Sequence, residues 1–419
     1  MAELLNVDTA LERILAQAVL LPDEEVSLTE AYGRVLAEKI SAEDDWPPFD
    51  CSAVDGYAVR SEDVATAQPQ QPVRLVVSLD VLAGQAAQRD LQAGEAARIM
   101  TGAPVPRGAD AVIMVEDTNA GWGNNPSAPS PTEIAVYRAA QVGQNIRPKG
   151  ENVHAGQALL SPGRVLRPVD VALLATMGLV AVRVHQRARV AIISTGDELL
   201  EPGQALSEGK IYDANRYALE GLVREIGGIA LSRLPIARDR VESVREVFRQ
   251  ALALRPHVII STAGVSVGAA DVVRLVLDEL GQVDLWRVNL RPGKPLTFGH
   301  LRGMDGLVSF FGLPGNPVSA LVTFDVLVKP ALLRMMGRQD KPRYALAIAG
   351  ERMTSDGRRS YLRVRLRKEQ GHIVAYSTGT QSSGALVSMV MADALMIIPE
   401  DVLVIERGTE VQVKYLNEC

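Results

Sequence analysis

The chain has 419 residues, room for two to four domains of ordinary size. Hydrophobic residues make up 47% and charged residues 22%, which suits several packed cores, and an aromatic share of 4% leaves those cores to Val, Leu, Ile and Ala. A net charge of -6 argues against a general nucleic-acid binder, and two cysteines, Cys51 and Cys419, are too few for a disulfide framework or a CxxC zinc site.

Met1 to Asp8 lacks a basic segment followed by an apolar core, so no signal peptide is read. The apolar stretch Val171 to Val182 is too short to cross a bilayer. A reduced, cytoplasmic protein with neither membrane nor nucleic acid as partner is expected.

Ala10, Leu11, Ile14, Leu15 and Ala18 recur at helical spacing over residues 8–20, with Asp8 or Thr9 as the cap. Ser27-Leu-Thr-Glu30 has capping-box spacing and predicts a second helix through about Glu38. A turn-rich segment, Trp46 to Tyr57, follows. Short alternating runs (Val73 to Val77, Ala111 to Val115, Glu133 to Tyr137) broken by Gly and Pro predict a small β-rich domain. Helical pattern returns over 164–179, so the two helical pieces are expected to pack together around an insertion.

From about 187 to 337, strands alternate with helices. Val190 to Ser194, His257 to Thr262 and Leu307 to Phe311 read as strands; Tyr217 to Ile226, Asp271 to Leu280 and a segment from about Pro317 read as helices. Such alternation predicts a parallel sheet with covering helices and a ligand site beyond the carboxyl ends of its strands. Beyond 341, short strands at Tyr361 to Leu366, Ile373 to Tyr376, Leu395 to Ile398 and Val411 to Tyr415 predict a barrel or sandwich.

Four loops of the α/β region join Gly to polar side chains: Ser194-Thr-Gly-Asp-Glu198, Thr262 to Asp271, Arg291-Pro-Gly-Lys-Pro295 and Leu313-Pro-Gly-Asn-Pro317. The second opens a helix, where amides and the helix dipole favour an anion; a tight turn with an Asp cap is the plainer reading of that loop alone. It is neither a Walker A sequence nor GxGxxG. Its Gly264-Val-Ser-Val-Gly268 matches the GxSxG nucleophile elbow, but no HGGG-like segment accompanies it. The acids Glu198, Asp239 and Asp271 would repel an anion unless Mg²⁺ lay between them. For any one of the three alone a solvated cap or turn is the plainer reading, most of all for Asp239. Lys294, held between prolines, and Arg147 with Lys149 are candidate anion partners, or solvated turn residues.

Taken together, Phe49-Asp-Cys-Ser-Ala-Val-Asp-Gly-Tyr-Ala58, Arg98-Ile-Met-Thr-Gly-Ala-Pro-Val-Pro106, Ser194 to Glu198, Gly264 to Asp271, Pro292-Gly-Lys-Pro295 and Gly312-Leu-Pro-Gly-Asn-Pro317 resemble the molybdopterin molybdenumtransferase (MoeA) family, which includes the E domain of gephyrin. The resemblance spans essentially the whole chain. It departs at Cys51, where the family usually has Asn, and is loose around Gly357 to Arg363 and Gln381 to Ser383.

The resemblance implies a multidomain α/β plus β fold. Residues 1–45 with 146–185 would form a helical linker domain, and 46–145 an inserted β-rich domain. Residues 186–337 would form a central three-layer, MogA-like α/β domain with a parallel-rich sheet, and 338–419 a C-terminal small β-barrel. It implies molybdate transfer to adenylyl-molybdopterin, releasing AMP, with Mg²⁺ on Glu198 and Asp271. It implies a homodimer with its site at the subunit interface, Asp55 and Thr101 coming from the partner. Asp239 would be a third acid. Lys294, Arg291 and Arg147 would hold phosphate or molybdate. Thr195, Gly196, Gly264, Ser266, Gly268, Pro314, Gly315, Asn316 and Ser383 would complete substrate binding. Molybdopterin adenylyltransferase and apo-molybdoenzymes would be pathway partners. Two rival readings are adenylylation of molybdopterin by ATP and a peptide-binding scaffold.

Overall fold

The computed structural model describes residues 4–120, 129–262 and 269–416, with side chains outside 263–271. The first helix is Val7–Gln17. Its cap is Asn6, two residues before Asp8 and three before Thr9: the Asn6 carboxamide oxygen accepts from the amides of Asp8 (2.8 Å) and Thr9 (3.2 Å). Helical spacing puts Val7, Ala10 and Ile14 on one buried face. That face packs against the segments Phe324–Val328 and Lys329–Met335, so this helix joins the α/β core instead of the 164–179 segment.

The capping box at Ser27 forms, but its helix is only Leu28–Ala31. Gly33 takes a positive φ of 73°, and Val35 and Leu36 then bridge to Val165 and Val184. The expected helix through Glu38 is therefore corrected. Burying Val35 and Leu36 in extended pairings outweighs the local helical pattern.

The chain divides into two units, one made of Met1–Ala37, Gly163–Val171 and Ala181–Cys419, the other of Glu38–Pro162 and Ala172–Val180. The second unit contains a five-stranded sheet in the order Ala111–Met114, Gly56–Val59, Glu95–Ile99, Val73–Val81, Glu133–Val136. A Cβ on Gly56 would lie 1.9 Å from the Ile113 carbonyl oxygen, so only glycine fits beside that strand.

In the first unit a six-stranded sheet runs in the order Ile229–Ala230, Arg189–Ser194, Val258–Thr262, Leu307–Leu313, Pro295–Arg302, Gly281–Arg287. The first four are parallel. The last two are antiparallel, a departure from a purely parallel sheet. The reason is connection length. A parallel return needs a dozen or more residues, and only 288–294 and 303–306 join these strands. Strand residues alternate between two cores. Val190, Ile192, Val258 and Ile260 enter one, and Ala191, Ile193 and Ile259 the other, as a sheet covered on both faces requires.

A five-stranded barrel closes through Tyr344–Ala349, His372–Ser377, Arg359–Glu369, Ala394–Ile398 and Glu410–Tyr415. The short strand Leu290–Arg291 pairs in parallel with Arg359 and Ser360, tying the α/β loop before Lys294 to the barrel. The expected α/β plus β architecture is present. Among the described residues, no helix is long and apolar enough to cross a membrane.

One buried acid makes a stability prediction. At the start of helix Pro168–Thr176, Asp170 accepts from the Arg167 amide (2.9 Å), from Arg164 (2.7 Å) and from the Arg167 guanidinium (3.1 Å). The Arg164 hydrogen bond, then that of Arg167, holds its carboxyl well below the ordinary value of 3.8. Asp170→Ala is expected to cost about 2 kcal/mol at neutral pH, the loss of a buried acid discounted for its exposed arginines. A lowered folded pKa stabilises above the unfolded value and fades as pH falls beneath it. The gap between wild type and variant in urea denaturation should therefore shrink progressively below about pH 4. An equal gap at pH 7 and pH 3 would refute the ionic origin.

Candidate functional site

A cavity of about 740 Å³ opens at the carboxyl ends of the Arg189–Ser194, Val258–Thr262 and Leu307–Leu313 strands. All four loops singled out from sequence contribute lining residues, the second through Thr262, and the barrel supplies the opposite wall. Thr195, Glu198, Arg291, Lys294, Pro314, Gly315, Asn316 and Ser383 all line it.

Each loop is positioned by ordinary means. Buried Thr195 donates from its hydroxyl to the Thr262 carbonyl (3.3 Å), joining two strand ends. Behind it, buried Arg216 reaches the Ser194 hydroxyl (3.3 Å), Glu201 (2.9 Å) and the Leu234 carbonyl (2.9 Å), bracing the base of the loop that carries Glu198. Gly196 does not itself line the cavity, but it turns beneath the Glu198 carboxylate. The Gly315 carbonyl accepts from the Asn215 side chain (2.7 Å), and the Ser383 carbonyl accepts from the Val318 amide (3.0 Å).

The Arg291–Pro295 loop approaches its neighbours closely. The Arg291-Pro292 peptide is cis. Gly293 has φ 121°, and a Cβ there would lie 2.3 Å from the Thr323 hydroxyl oxygen. The Lys294 carbonyl accepts from the Val288 amide (2.8 Å), while its side chain is exposed and makes no ion pair with a described residue.

Arg358 and Arg363 join Arg291 and Lys294, so four cations face the cavity. Arg363 is 1% exposed. Its guanidinium donates to the Ser388 hydroxyl (3.1 Å) and the Ser382 carbonyl (3.0 Å), and no carboxylate among the described residues pairs with it. Burial, then the charge of Arg291, lowers its pKa to about 10, so it stays cationic at neutral pH. Asp356 hydrogen-bonds Arg358 (2.5 Å) and lies 4.0 Å from Arg291. Burial opposes its charge, but Arg358 prevails and holds its carboxyl below the ordinary range. The lining acids are Glu198, which has no described partner, and buried Asp213, paired with Arg216 at 3.1 Å. The cavity thus carries surplus positive charge beside one unpaired carboxylate, a setting for a multivalent anion.

Asp239 does not line the cavity. It exchanges bonds with the neighbouring turn: its carboxylate accepts from the Asp197 amide and its amide donates to the Asp197 carboxylate, both at 3.3 Å. That is the turn role open to it from sequence. Gly264, Ser266 and Gly268, with the side chain of Asp271, lie outside the described residues.

In the second unit, Asp55 and Thr101 come together. The Asp55 carboxylate accepts from the Thr101 amide (2.7 Å) and hydroxyl (2.8 Å), and both residues are exposed. Arg147, also exposed, sits in the strand Ile146–Arg147, where its backbone pairs with Cys51.

Sequence reasoning passed over Arg358, Tyr212 and Asn215 as cavity residues. Arg363 stands in a run, Tyr361 to Leu366, that reads as an ordinary strand. Its neighbours Leu362 and Val364 enter the barrel core, so strand alternation turns Arg363 to the other face, toward Ser382 and Ser388.

Residues 5–178 match the MoeA N-terminal region (domain I and II), 191–334 a probable molybdopterin binding domain, and 347–416 the MoeA C-terminal region (domain IV). A protein named molybdopterin molybdenumtransferase 2 from Mycobacterium tuberculosis is 38% identical over 399 residues, covering 93% of this chain and 94% of that one. A molybdopterin molybdenumtransferase from Haemophilus influenzae is 35% identical, covering 99% of both. The crystal structure of a molybdopterin biosynthesis MoeA protein from Pyrococcus horikosii superposes with a TM-score of 0.81 at 36% identity, covering 100% of both chains. The chain belongs to the molybdopterin molybdenumtransferase (MoeA) family.

Proposed function

We propose that this enzyme transfers molybdate to adenylyl-molybdopterin, giving molybdenum-loaded molybdopterin and AMP. Family membership supports molybdenum insertion in cofactor assembly. The observation that carries the finer reading is the convergence of Arg291, Lys294, Arg358 and Arg363 beside the unpaired Glu198. Both substrates are oxyanions. Molybdate is a stable anion that displaces poorly onto dithiolene sulfurs, so coupling its transfer to phosphoanhydride cleavage supplies driving force. The four cations hold phosphate and molybdate close together and offset charge as AMP leaves.

Mg²⁺ is commonly held by one or two carboxylates together with substrate phosphates and water. An unpaired Glu198 on the cavity wall fits that donor set, although the described residues contain no group of three or more His, Cys, Asp or Glu side chains placed for a metal. In this reading Glu198 and Asp271 hold Mg²⁺, which when bound lowers the charge repulsion between phosphate and carboxylate. Asp239 orients the Asp197 turn beside Glu198. The enzyme is a cytoplasmic homodimer in which the partner subunit contributes its own Asp55–Thr101 pair, and Arg147 adds an anion contact. Molybdopterin adenylyltransferase supplies the substrate and apo-molybdoenzymes take the product.

AMP release from adenylyl-molybdopterin and Mg²⁺, with and without molybdate, tests this. Molybdate-dependent release that is lost in Glu198→Gln is expected. Full release in Glu198→Gln or Asp271→Asn would remove those residues from the mechanism. Consumption of ATP with metal-free molybdopterin would transfer the chain to the preceding step.

A further inference from the structure

Beside its cationic floor, the cavity has an apolar rim. Ile211 is 57% exposed and Tyr212 is 40% exposed, and both line the opening. The Tyr212 hydroxyl donates to the Gln204 carbonyl (2.8 Å), so the ring is tethered at its far end as well as at its backbone. Its strand, Ile211–Tyr212, pairs in parallel with Leu199–Leu200, and the Ile211 amide donates to the Glu198 carbonyl (2.9 Å). The ring and the unpaired carboxylate are therefore built on one braced segment. A fixed aromatic face stacks a flat ring with little loss of side-chain freedom.

We propose that Tyr212 is the stacking platform for the fused nitrogen ring, purine or pteridine, of a ring-bearing phosphate whose anionic end sits among Arg291, Lys294, Arg358 and Arg363. The proposal rests on the reading of this cavity as an anion site and adds the second half of the recognition. Phosphate alone is common to many metabolites. A ring seated at the rim restricts the cavity to heterocyclic phosphates.

Calorimetric titration of the full chain with AMP, 6-hydroxymethylpterin monophosphate, ribose 5-phosphate and inorganic phosphate tests it. At least one ring phosphate should bind about 5- to 100-fold more tightly than ribose 5-phosphate, the range that base stacking on an aromatic side chain gives. Tyr212→Ala should erase that margin and leave ribose 5-phosphate binding unchanged. Tyr212→Phe, which keeps the ring and drops the tether, should retain most of it. A margin for AMP alone or for the pterin alone supports the platform and identifies the ring. Tight binding of all four without a margin, or a margin that survives Tyr212→Ala in protein of unchanged melting temperature, would overturn the platform and leave the anion site standing. Failure of wild type to bind any of the four would overturn the anion site itself and the platform with it.

Discussion

Lys294→Ala is expected to lower molybdate-dependent AMP release about 100- to 1,000-fold, the usual effect of removing one preorganised charge donor from a transition state. The size follows from how the residue is held. Its carbonyl is fixed to the Val288 amide at 2.8 Å, and Gly293 beside it packs where a Cβ would lie 2.3 Å from the Thr323 hydroxyl. The backbone is thus committed, while the ammonium has no described ion pair to offset its charge. Little reorganisation is needed when it meets a phosphate or molybdate oxygen. Lys294→Arg keeps the charge and should recover part of the rate. The measurement is single-turnover AMP release at saturating substrate, with melting temperature as the control for folding. A Lys294→Ala rate within about threefold of wild type would place the ammonium away from the reacting anion.

Arg363→Met is expected to separate stability from function. The arginine is 1% exposed and lacks a carboxylate among the described residues, and burial disfavours its charge enough to lower its pKa to about 10. Replacing a desolvated charge by an apolar side chain of similar length is often neutral or stabilising, by about 1 to 2 kcal/mol here once the hydrogen bonds to Ser388 and Ser382 are discounted. Anion affinity should move the other way. Phosphate or molybdate binding is expected to weaken about 30- to 100-fold, the loss of one charge-assisted contact in a partly dry cavity. Urea denaturation and anion titration on the same protein read both effects. A variant that is strongly destabilised, or that binds molybdate as wild type does, would show that Arg363 serves the barrel and not the cavity.

Much of this was legible in the sequence because turn chemistry is local. Gly293 between Pro292 and Lys294, or Gly315 between Pro314 and Asn316, declares a constrained loop whatever the rest of the chain does. The strand Val258–Thr262 is apolar on both faces and could hardly lie anywhere but in a covered sheet. What escaped was set by distant residues. The segment after Ser27 carries a sound helix start, yet Val35 and Leu36 end in extended pairings with residues more than a hundred positions away. Asp239 bonds to the Asp197 turn, the turn role that its sequence context left open beside the acid role implied by the resemblance. Arg358 and Arg363 became cavity residues only when the barrel strand Arg359–Glu369 paired with Leu290–Arg291.

The pairing that closes the barrel also sets when the cavity can exist during synthesis. The strands Ala394–Ile398 and Glu410–Tyr415 bond to one another, and the first of them holds the Arg363 strand. Both leave the ribosome after every residue that lines the cavity. The α/β core can be assembled by then, and the Arg363 strand can pair with Leu290–Arg291 and His372–Ser377, but its Ala394–Ile398 partner is still missing. A nascent chain stalled between Ser383 and Glu410 therefore carries every lining residue of the cavity while the barrel behind Arg363 is still open. The barrel wall of the anion site is closed only once the last strand has docked.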